Sequence, residues 1–267
     1  MIREPIVAGQ FYPGSAEGLR TMIESMVDDR PGNLEVIGLI SPHAGYIYSG
    51  MVAGAVISKI KLGDVFVLLG PNHTGRGKSF SIMTEGTWIT PLGETEVDSE
   101  LGKRILASSS YLEEDMAAQQ FEHSLEVQVP FLQYFRPDVR IVPIVLAHAR
   151  GNIYKKIGKE LASAIKESKK RVTILASSDM THYEPQESAR KKDMKAIEAI
   201  LSLDEDELLR RVADFDITMC GYAPAVSLIS AAKALGATKA ELVKYQTSGD
   251  TSGDYSSVVG YAGILIK

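Results

Sequence analysis

The sequence predicts an α/β fold: a single layered domain in which a central mixed β-sheet is flanked by helices. Two observations lead to this prediction. Short apolar runs rich in β-branched residues alternate with longer amphipathic stretches, and the apolar runs are almost continuously hydrophobic. Strands buried on both faces have that character, whereas a strand with one wet face alternates apolar and polar residues. Alternating strands and helices are typical of layered α/β domains.

Each predicted element follows from its local pattern. The runs of strand length are 34–40, 65–69, 139–146 and 172–175, followed near the end of the chain by 240–245 and 257–266. The helix candidates are 154–168, 186–201, 204–212 and 222–235. In the first of them Ile157, Leu161 and Ile165 recur at helical spacing, which gives one apolar face. Residues 87–97 predict a hairpin or an Ω-like excursion around a Pro-Leu-Gly turn.

The composition excludes several classes of protein. The chain has 267 residues, 45% hydrophobic and 24% charged, which is close to the globular average and unlike a disordered or fibrous chain. No linker-like stretch divides it, so we expect one domain over residues 1–267. The net charge of -5 gives no reason to expect a nucleic-acid partner.

The sequence also indicates where the protein is located and what its cysteine can do. No apolar run approaches the roughly 20 residues that span a bilayer, and the N-terminal residues do not resemble a signal peptide. We therefore expect a soluble, cytoplasmic protein without a membrane partner. The single cysteine, Cys220, cannot form an intrachain disulfide or by itself a Cys-rich zinc site.

Polar residues follow three of the predicted strands directly. His43 follows the first, His73 the second, and Asp179 and His182 the fourth. In open α/β sheets, sites gather outside the carboxyl ends of the strands. A single loop histidine is usually structural, but three in equivalent positions favour a shared site.

Cys220 precedes the predicted helix 222–235, in which Pro224 suits the first turn. A helix N-terminus lowers a thiol pKa and so favours the thiolate, the form that binds metal or attacks a substrate. The alternative is a small buried apolar residue, and the sequence leaves both open.

Other polar residues have weaker signals. His123 lies in an EHSLE segment that resembles a helix start, so it is interpreted as a capping residue or as a supporting neighbour of the site. Tyr46 and Asn72 lie beside the histidine loops and are candidates for the pocket wall. His148 also follows a strand but lacks their Gly/Pro frame, so a background role is favoured.

Two histidines and one anionic ligand on separate loops would form a mononuclear metal site with open positions. A carboxylate as third ligand would match the non-haem Fe(II) oxygenases, and a thiolate makes Cu(I) or Zn competitive. Asp179 and His182 could form an orienting carboxylate–imidazole pair, with His182 moving a proton. A metal-free alternative uses Cys220 as a nucleophile with a histidine base.

Six short motifs together resemble those of the Memo family, across essentially the whole chain. They are VAGQFYP at 7–13, SPHAGY at 41–46, GPNHTG at 70–75, EHSLE at 122–126, SSDMTHY at 177–183 and Cys220-Gly221. The family's fold is similar to that of the class III extradiol (LigB-like) dioxygenases, which are non-haem iron enzymes.

The resemblance implies that His43, His73 and Cys220 bind the metal, with Asp179 and His182 as catalytic pocket residues. It implies Fe(II) or Cu(I), with Zn also compatible, and no nucleotide cofactor. The dioxygenases have a glutamate where this family has the cysteine, which argues against ring cleavage. Family members are linked to peptide recognition and to a radical-SAM protein, so a small-molecule or peptide ligand and such a pathway partner are expected.

Two functions follow from this interpretation. One is a redox-active, dioxygenase-like metalloprotein whose substrate the sequence does not identify. The other is a non-enzymatic module that keeps the fold and uses the pocket to bind a peptide or protein partner, since folds outlive their chemistry.

Overall fold

Strands and helices alternate along the chain, as the computed structural model shows for residues 1–28 and 32–267. The strands are β1 (Ile2–Arg3), β2 (Gly38–Ser41), β3 (Val65–Pro71), β4 (Phe80–Ile82), β5 (Thr87–Thr90), β6 (Gly93–Glu96), β7 (Glu113–Glu114), β8 (Arg140–Leu146), β9 (Val172–Ser177), β10 (His182–Glu184), β11 (Ala240–Thr247) and β12 (Val258–Ile266). The helices are α1 (Ala16–Glu24), α2 (Tyr46–Ser58), α3 (Ser99–Ser108), α4 (Ala117–Gln120), α5 (Val129–Phe135), α6 (Gly151–Lys166), α7 (Gln186–Leu201), α8 (Glu205–Asp214), α9 (Tyr222–Leu235) and α10 (Gly249–Ser252). A 3₁₀ turn, Glu126–Gln128, precedes α5.

The large sheet has the strand order β10-β12-β2-β9-β3-β8-β4-β7, with β11 paired to β12. Its four central strands β2, β9, β3 and β8 are parallel, whereas β12 and β4 run antiparallel to their central neighbours. The predicted mixed sheet is therefore confirmed. Because parallel strands share a direction, the loops after β2, β3, β8 and β9 all leave from one edge of the sheet.

Both faces of the central strands are buried, which explains their continuous hydrophobicity. Side chains alternate across a strand, so Val65, Val67 and Leu69 of β3 pack on the face covered by α6 and α9. Phe66 and Leu68 point to the opposite face, covered by α2 and α5. The predicted layered α/β architecture is confirmed, with one apolar core on each side of the sheet.

Several boundaries differ from the predicted ones. The first central strand begins at Gly38 rather than at residue 34, because Leu34 makes only an isolated bridge to Ile60. The predicted hairpin is confirmed as β5 and β6, but it joins β1 in a separate three-stranded sheet. The polar segment SGDTSGD at 248–254, in which the repeated Ser-Gly-Asp predicts two turns, contains the short helix α10.

The helix after EHSLE also starts later than its sequence suggests. Ser124 caps no helix, since its hydroxyl donates to the carbonyl of Pro71, and α5 begins at Val129. In the described part of the chain, no helix is both long enough and apolar enough to cross a bilayer.

Candidate metal centre

The loops at the carboxyl edge bring three imidazole rings together. His43 follows β2, His73 follows β3, and His123 lies in the turn before the 3₁₀ segment. The ring centroid of His43 lies 5.2 Å from that of His73 and 5.6 Å from that of His123. The rings of His73 and His123 stack with their centroids 4.8 Å apart. One ligand atom from each ring lies within 4.8 Å of the others. This arrangement could hold a metal ion.

The hydrogen bonds of His43 define which ring nitrogen carries the hydrogen. The Ser177 hydroxyl donates its proton to the Ser124 carbonyl at 2.7 Å, so it can only accept from His43 Nδ1, 2.9 Å away. Nδ1 therefore carries the hydrogen and Nε2 presents a lone pair. Burial lowers the pKa of His43 well below its ordinary value, which keeps the ring neutral. A neutral imidazole whose Nε2 carries no hydrogen is the form that binds metal through that atom.

His73 is held by a buried carboxylate. Glu122 accepts from the His73 Nδ1 at 2.9 Å and from the His73 backbone N–H at 2.7 Å. Because a carboxylate only accepts, Nδ1 carries a hydrogen here too, and Nε2 is the ring nitrogen that could bind a metal. Burial opposes the charge on Glu122, but the hydrogen bond from His73 and the other donors outweigh it and hold its pKa below the usual range. Carboxylate–histidine pairs of this kind orient metal-binding imidazoles.

His123 approaches the same point with looser support. Its Nδ1 lies 3.6 Å from Glu122 Oε1, beyond a good hydrogen bond, and its side chain is one quarter exposed. Phe11 packs edge-on against its ring at 5.1 Å. The sequence interpretation placed His123 in a supporting role; the structure places its ring among the potential ligands.

Cys220 lies against His43, with Sγ 3.2 Å from Nε2. Its position just before α9 agrees with the sequence, which left open whether it is a thiolate at a helix N-terminus or a small buried apolar residue. Burial, followed by the negative charge of Asp179, raises the pKa of the Cys220 thiol. Removal of the thiol from water costs more than the helix N-terminus returns.

The separation of the His43 and Cys220 donor atoms fits a shared metal. Bonds of about 2.0–2.1 Å to an imidazole nitrogen and about 2.3 Å to a thiolate put two donors of one metal roughly 3.1–3.6 Å apart at right to tetrahedral angles. The observed separation of His43 Nε2 and Cys220 Sγ is 3.2 Å. Two or three imidazoles with one cysteine sulfur make a donor set suited to Fe, Cu or Zn.

Asp179 holds the backbone of His43 in place by a hydrogen bond. Its Oδ1 accepts from the His43 backbone N–H at 2.7 Å, and its own N–H points to Cys220 Sγ at 3.3 Å. The side chain is buried, and burial raises its pKa to about 6. Asp179 therefore links the His43 and Cys220 loops, and its pKa lies closer to neutral pH than that of an ordinary aspartate.

His182 lies at the start of β10 and is partly exposed. Its backbone N–H donates to the Thr218 hydroxyl at 2.7 Å, and its Nδ1 lies 2.9 Å from the Thr218 carbonyl. A carbonyl only accepts, so Nδ1 is protonated and Nε2 is free. The expected direct pair of His182 with Asp179 is not formed, because Thr218 orients the imidazole instead.

The remaining candidates have other surroundings. Tyr46 is buried in the core, where its hydroxyl donates to the Val127 carbonyl and its ring packs on Phe131. The Asn72 side chain holds the following turn, donating to the Arg76 carbonyl and accepting from the Gly75 N–H. Asn72 also lines the neighbouring cavity, which has a volume of about 430 Å³.

Sequence reasoning missed the residues that hold the ligands in place. Glu122 lies beside His123 in the EHSLE motif, and its charge next to a histidine is a signal that could have identified it. Ser177 and Gln128 offer no comparable signal. The Gln128 amide donates to the Pro42 carbonyl and to the Ser177 hydroxyl, both at 2.8 Å, which ties the 3₁₀ turn to the His43 loop.

Gly221→Ala should damage this region locally. An added Cβ would collide with the Ser177 carbonyl and the Ser178 side chain. Overpacking of this kind costs about 1–3 kcal/mol of unfolding free energy, measured by denaturant titration. The control is Gly14→Ala, whose Cβ would meet nothing closer than 3.5 Å. Equal free energies of unfolding in the two variants would show that the backbone beside Cys220 can shift to accept the added Cβ without destabilising the protein.

The fold and the site define an α/β protein that carries clustered histidines and a cysteine on strand-end loops. A family model described as "Memo-like protein" matches residues 3–265. The chain belongs to the Memo family.

Relatives from several organisms match over nearly their whole length. A MEMO1 family protein of Methanococcoides burtonii is 46% identical, with both chains covered completely. One from Aquifex aeolicus is 45% identical over 99% of this chain and 98% of the relative, and one from Methanopyrus kandleri is 42% identical over 100% and 99%. A crystal structure of an uncharacterized Escherichia coli K12 protein has a TM-score of 0.60 at 14% identity, covering 87% of this chain and 100% of that one. That likeness concerns the fold alone.

Proposed function

We propose that this protein binds one transition-metal ion through His43, His73 and Cys220 and uses it in redox chemistry on a small organic substrate. The observation that carries the proposal is the pair of imidazoles that are held through Nδ1, so that Nε2 is the ring nitrogen available to a metal, with the Cys220 sulfur 3.2 Å from Nε2 of His43. Fe(II) and Cu(I) suit this mixed nitrogen–sulfur donor set, and Zn is compatible with it. The metal would supply Lewis acidity and, for iron or copper, electron transfer.

The protein's own groups have separate tasks in this proposal. Glu122 and Ser177 hold the two imidazoles in the ligand tautomer. His182, partly exposed with a free Nε2, can take or return a substrate proton. Asp179, with a pKa raised by burial to about 6, keeps the His43 backbone in place and adds negative charge that offsets a bound cation.

Metal analysis of untagged protein purified without oxygen tests the proposal. Wild-type protein should contain a stoichiometric metal, and His43→Ala should lose it. His182→Ala is the matched control, since it removes an imidazole that is not a ligand, and it should keep the metal. Unchanged metal content in both His43→Ala and Cys220→Ser would refute the proposal.

The third donor can be assigned with the same measurement. Cys220 Sγ lies 3.2 Å from His43 Nε2, and His123 clusters with His43 and His73, so Cys220→Ser and His123→Gln are compared. We expect Cys220→Ser to lose more metal, because its sulfur already lies at ligand spacing from His43. The reverse order would make His123 the third ligand. Substrate turnover that depends on His182 would then distinguish an enzyme from a binding module.

A further inference from the structure

A cavity of about 430 Å³ opens beside the candidate metal centre, within the size range of small-molecule sites. His73 and Cys220 contribute to its wall, so a ligand in it would lie next to the metal site. Much of the remaining lining is apolar and comes from Pro71, Leu146, Ala147 and Ala223. The cavity therefore favours a small molecule with a largely apolar body.

His148, which the sequence left without a role, lies on the wall of this cavity. Pro71 of β3 and Leu146 of β8 are paired in parallel register, so His73 and His148 occupy equivalent positions two residues beyond that pair. The Nδ1 of His148 lies 3.0 Å from the hydroxyl of Tyr222 in the first turn of α9. This hydrogen bond fixes the ring at the cavity wall.

The free side of His148 suggests what the cavity binds. Within residues 1–28 and 32–267, no hydrogen bond engages the Nε2 of His148. Depending on the direction of the bond to Tyr222, Nε2 is either a donor or an acceptor. A ligand hydroxyl satisfies both cases, because it donates and accepts.

Charge argues against an anionic ligand. The lining residues of the described chain include no lysine or arginine. A carboxylate or phosphate would therefore lose its hydration without gaining a cationic partner from the wall. Asn72 and Thr74 also line the cavity, but their side chains hydrogen-bond within their own turn.

We propose that this cavity binds a small, uncharged, mainly apolar organic molecule through a hydroxyl group that hydrogen-bonds to His148. The inference rests on the proposed function, because it names the substrate class of the same site. Binding itself does not require a metal, so it can be measured on metal-free protein.

The experiment titrates metal-free full-length protein with phenol, benzene and benzoate and follows backbone amide shifts by NMR. His148 is exposed, so phenol should bind about three- to tenfold more tightly than benzene, the net effect expected of one hydrogen bond between neutral groups. His148→Ala should reduce phenol binding to the level of benzene. Arg150→Ala, which alters an exposed neighbour, is the matched control and should bind phenol like the wild type.

A second variant tests the cavity without altering the hydrogen bond. Ala147→Leu adds volume at a partly exposed lining residue and should weaken binding of phenol and benzene alike. Equal affinities for phenol and benzene, an unchanged affinity in His148→Ala, or tightest binding of benzoate would each overturn the inference. His43→Ala should lose metal but still bind phenol, so failure of the metal proposal and failure of this one give different results.

Discussion

Glu126→Gln is expected to lower the free energy of unfolding by about 3–5 kcal/mol, because it leaves the Arg3 guanidinium buried without its counter-charge. The two side chains are 1% and 0% exposed, and Arg3 Nη1 lies 2.6 Å from Glu126 Oε2. Glu126 also accepts from the backbone N–H of Val7 and from the Tyr12 hydroxyl. A glutamine would place an amide donor among these donors.

Denaturant titration measures this loss. Glu35→Gln is the control, since Glu35 forms an ion pair with Lys61 in which the side chains are 78% and 48% exposed. Such exposed pairs contribute about 0–1 kcal/mol. A loss below about 1 kcal/mol in Glu126→Gln would show that the buried pair is not essential to stability.

The Arg3–Glu126 pair also contacts the backbone of the candidate metal centre. Arg3 Nη2 donates to the Glu122 carbonyl at 2.7 Å, and its guanidinium lies 4.2 Å from the Trp88 ring centroid. The N-terminal strand thus braces the backbone of the residue that orients His73. Stability and site geometry are coupled at this point.

Glu122→Gln is expected to weaken metal binding by about 10–100-fold, the usual effect of removing a group that orients a ligand histidine. Glu122 accepts from two donors of His73 and, at 2.9 Å, from the Ser124 N–H. Glutamine has only one acceptor oxygen, so either the His73 ring or its backbone loses a partner. The free Nε2 of His73 would no longer be held toward the shared point.

Chelator competition with Zn(II) or Co(II) measures this change. Glu113→Gln is the matched control, because Glu113 is 56% exposed and pairs with Lys78 on the surface. Comparable metal affinities in the two variants would contradict an orienting role for Glu122. Thermal denaturation in parallel separates a loss of affinity from a loss of fold.

The sequence predicted most strands and helices of the layers correctly, because each of these elements depends on the local pattern of apolar and polar residues. The runs that became β3, β8 and β9 are apolar on both faces, and this reflects helices on both sides of the sheet. Helix α6 followed from its apolar face. In contrast, α2 was not predicted, because its apolar residues surround the helix and give no period.

The same reasoning identified His43, His73, Asp179 and His182 as strand-end residues, but it could not determine their partners. Strand order decides those: β2 and β9 are hydrogen-bonded neighbours, which puts Ser177 beside His43. His182 was expected to pair with Asp179, three residues away, yet Thr218 from a distant segment orients it. Proximity in sequence was a poor guide because between these residues the chain crosses from β9 to β10, which lies beyond β2 and β12 in the sheet.

By itself, the sequence determined the layered α/β class and the set of histidines, cysteine and carboxylates available for chemistry, since both follow from residue type and local periodicity. Only the tertiary structure decided that His123 joins His43 and His73, that burial raises rather than lowers the Cys220 pKa, and that His148 faces a cavity. These properties depend on which segments pack against each other and so shield each other from water. That is settled by sheet register and packing between residues far apart in the chain.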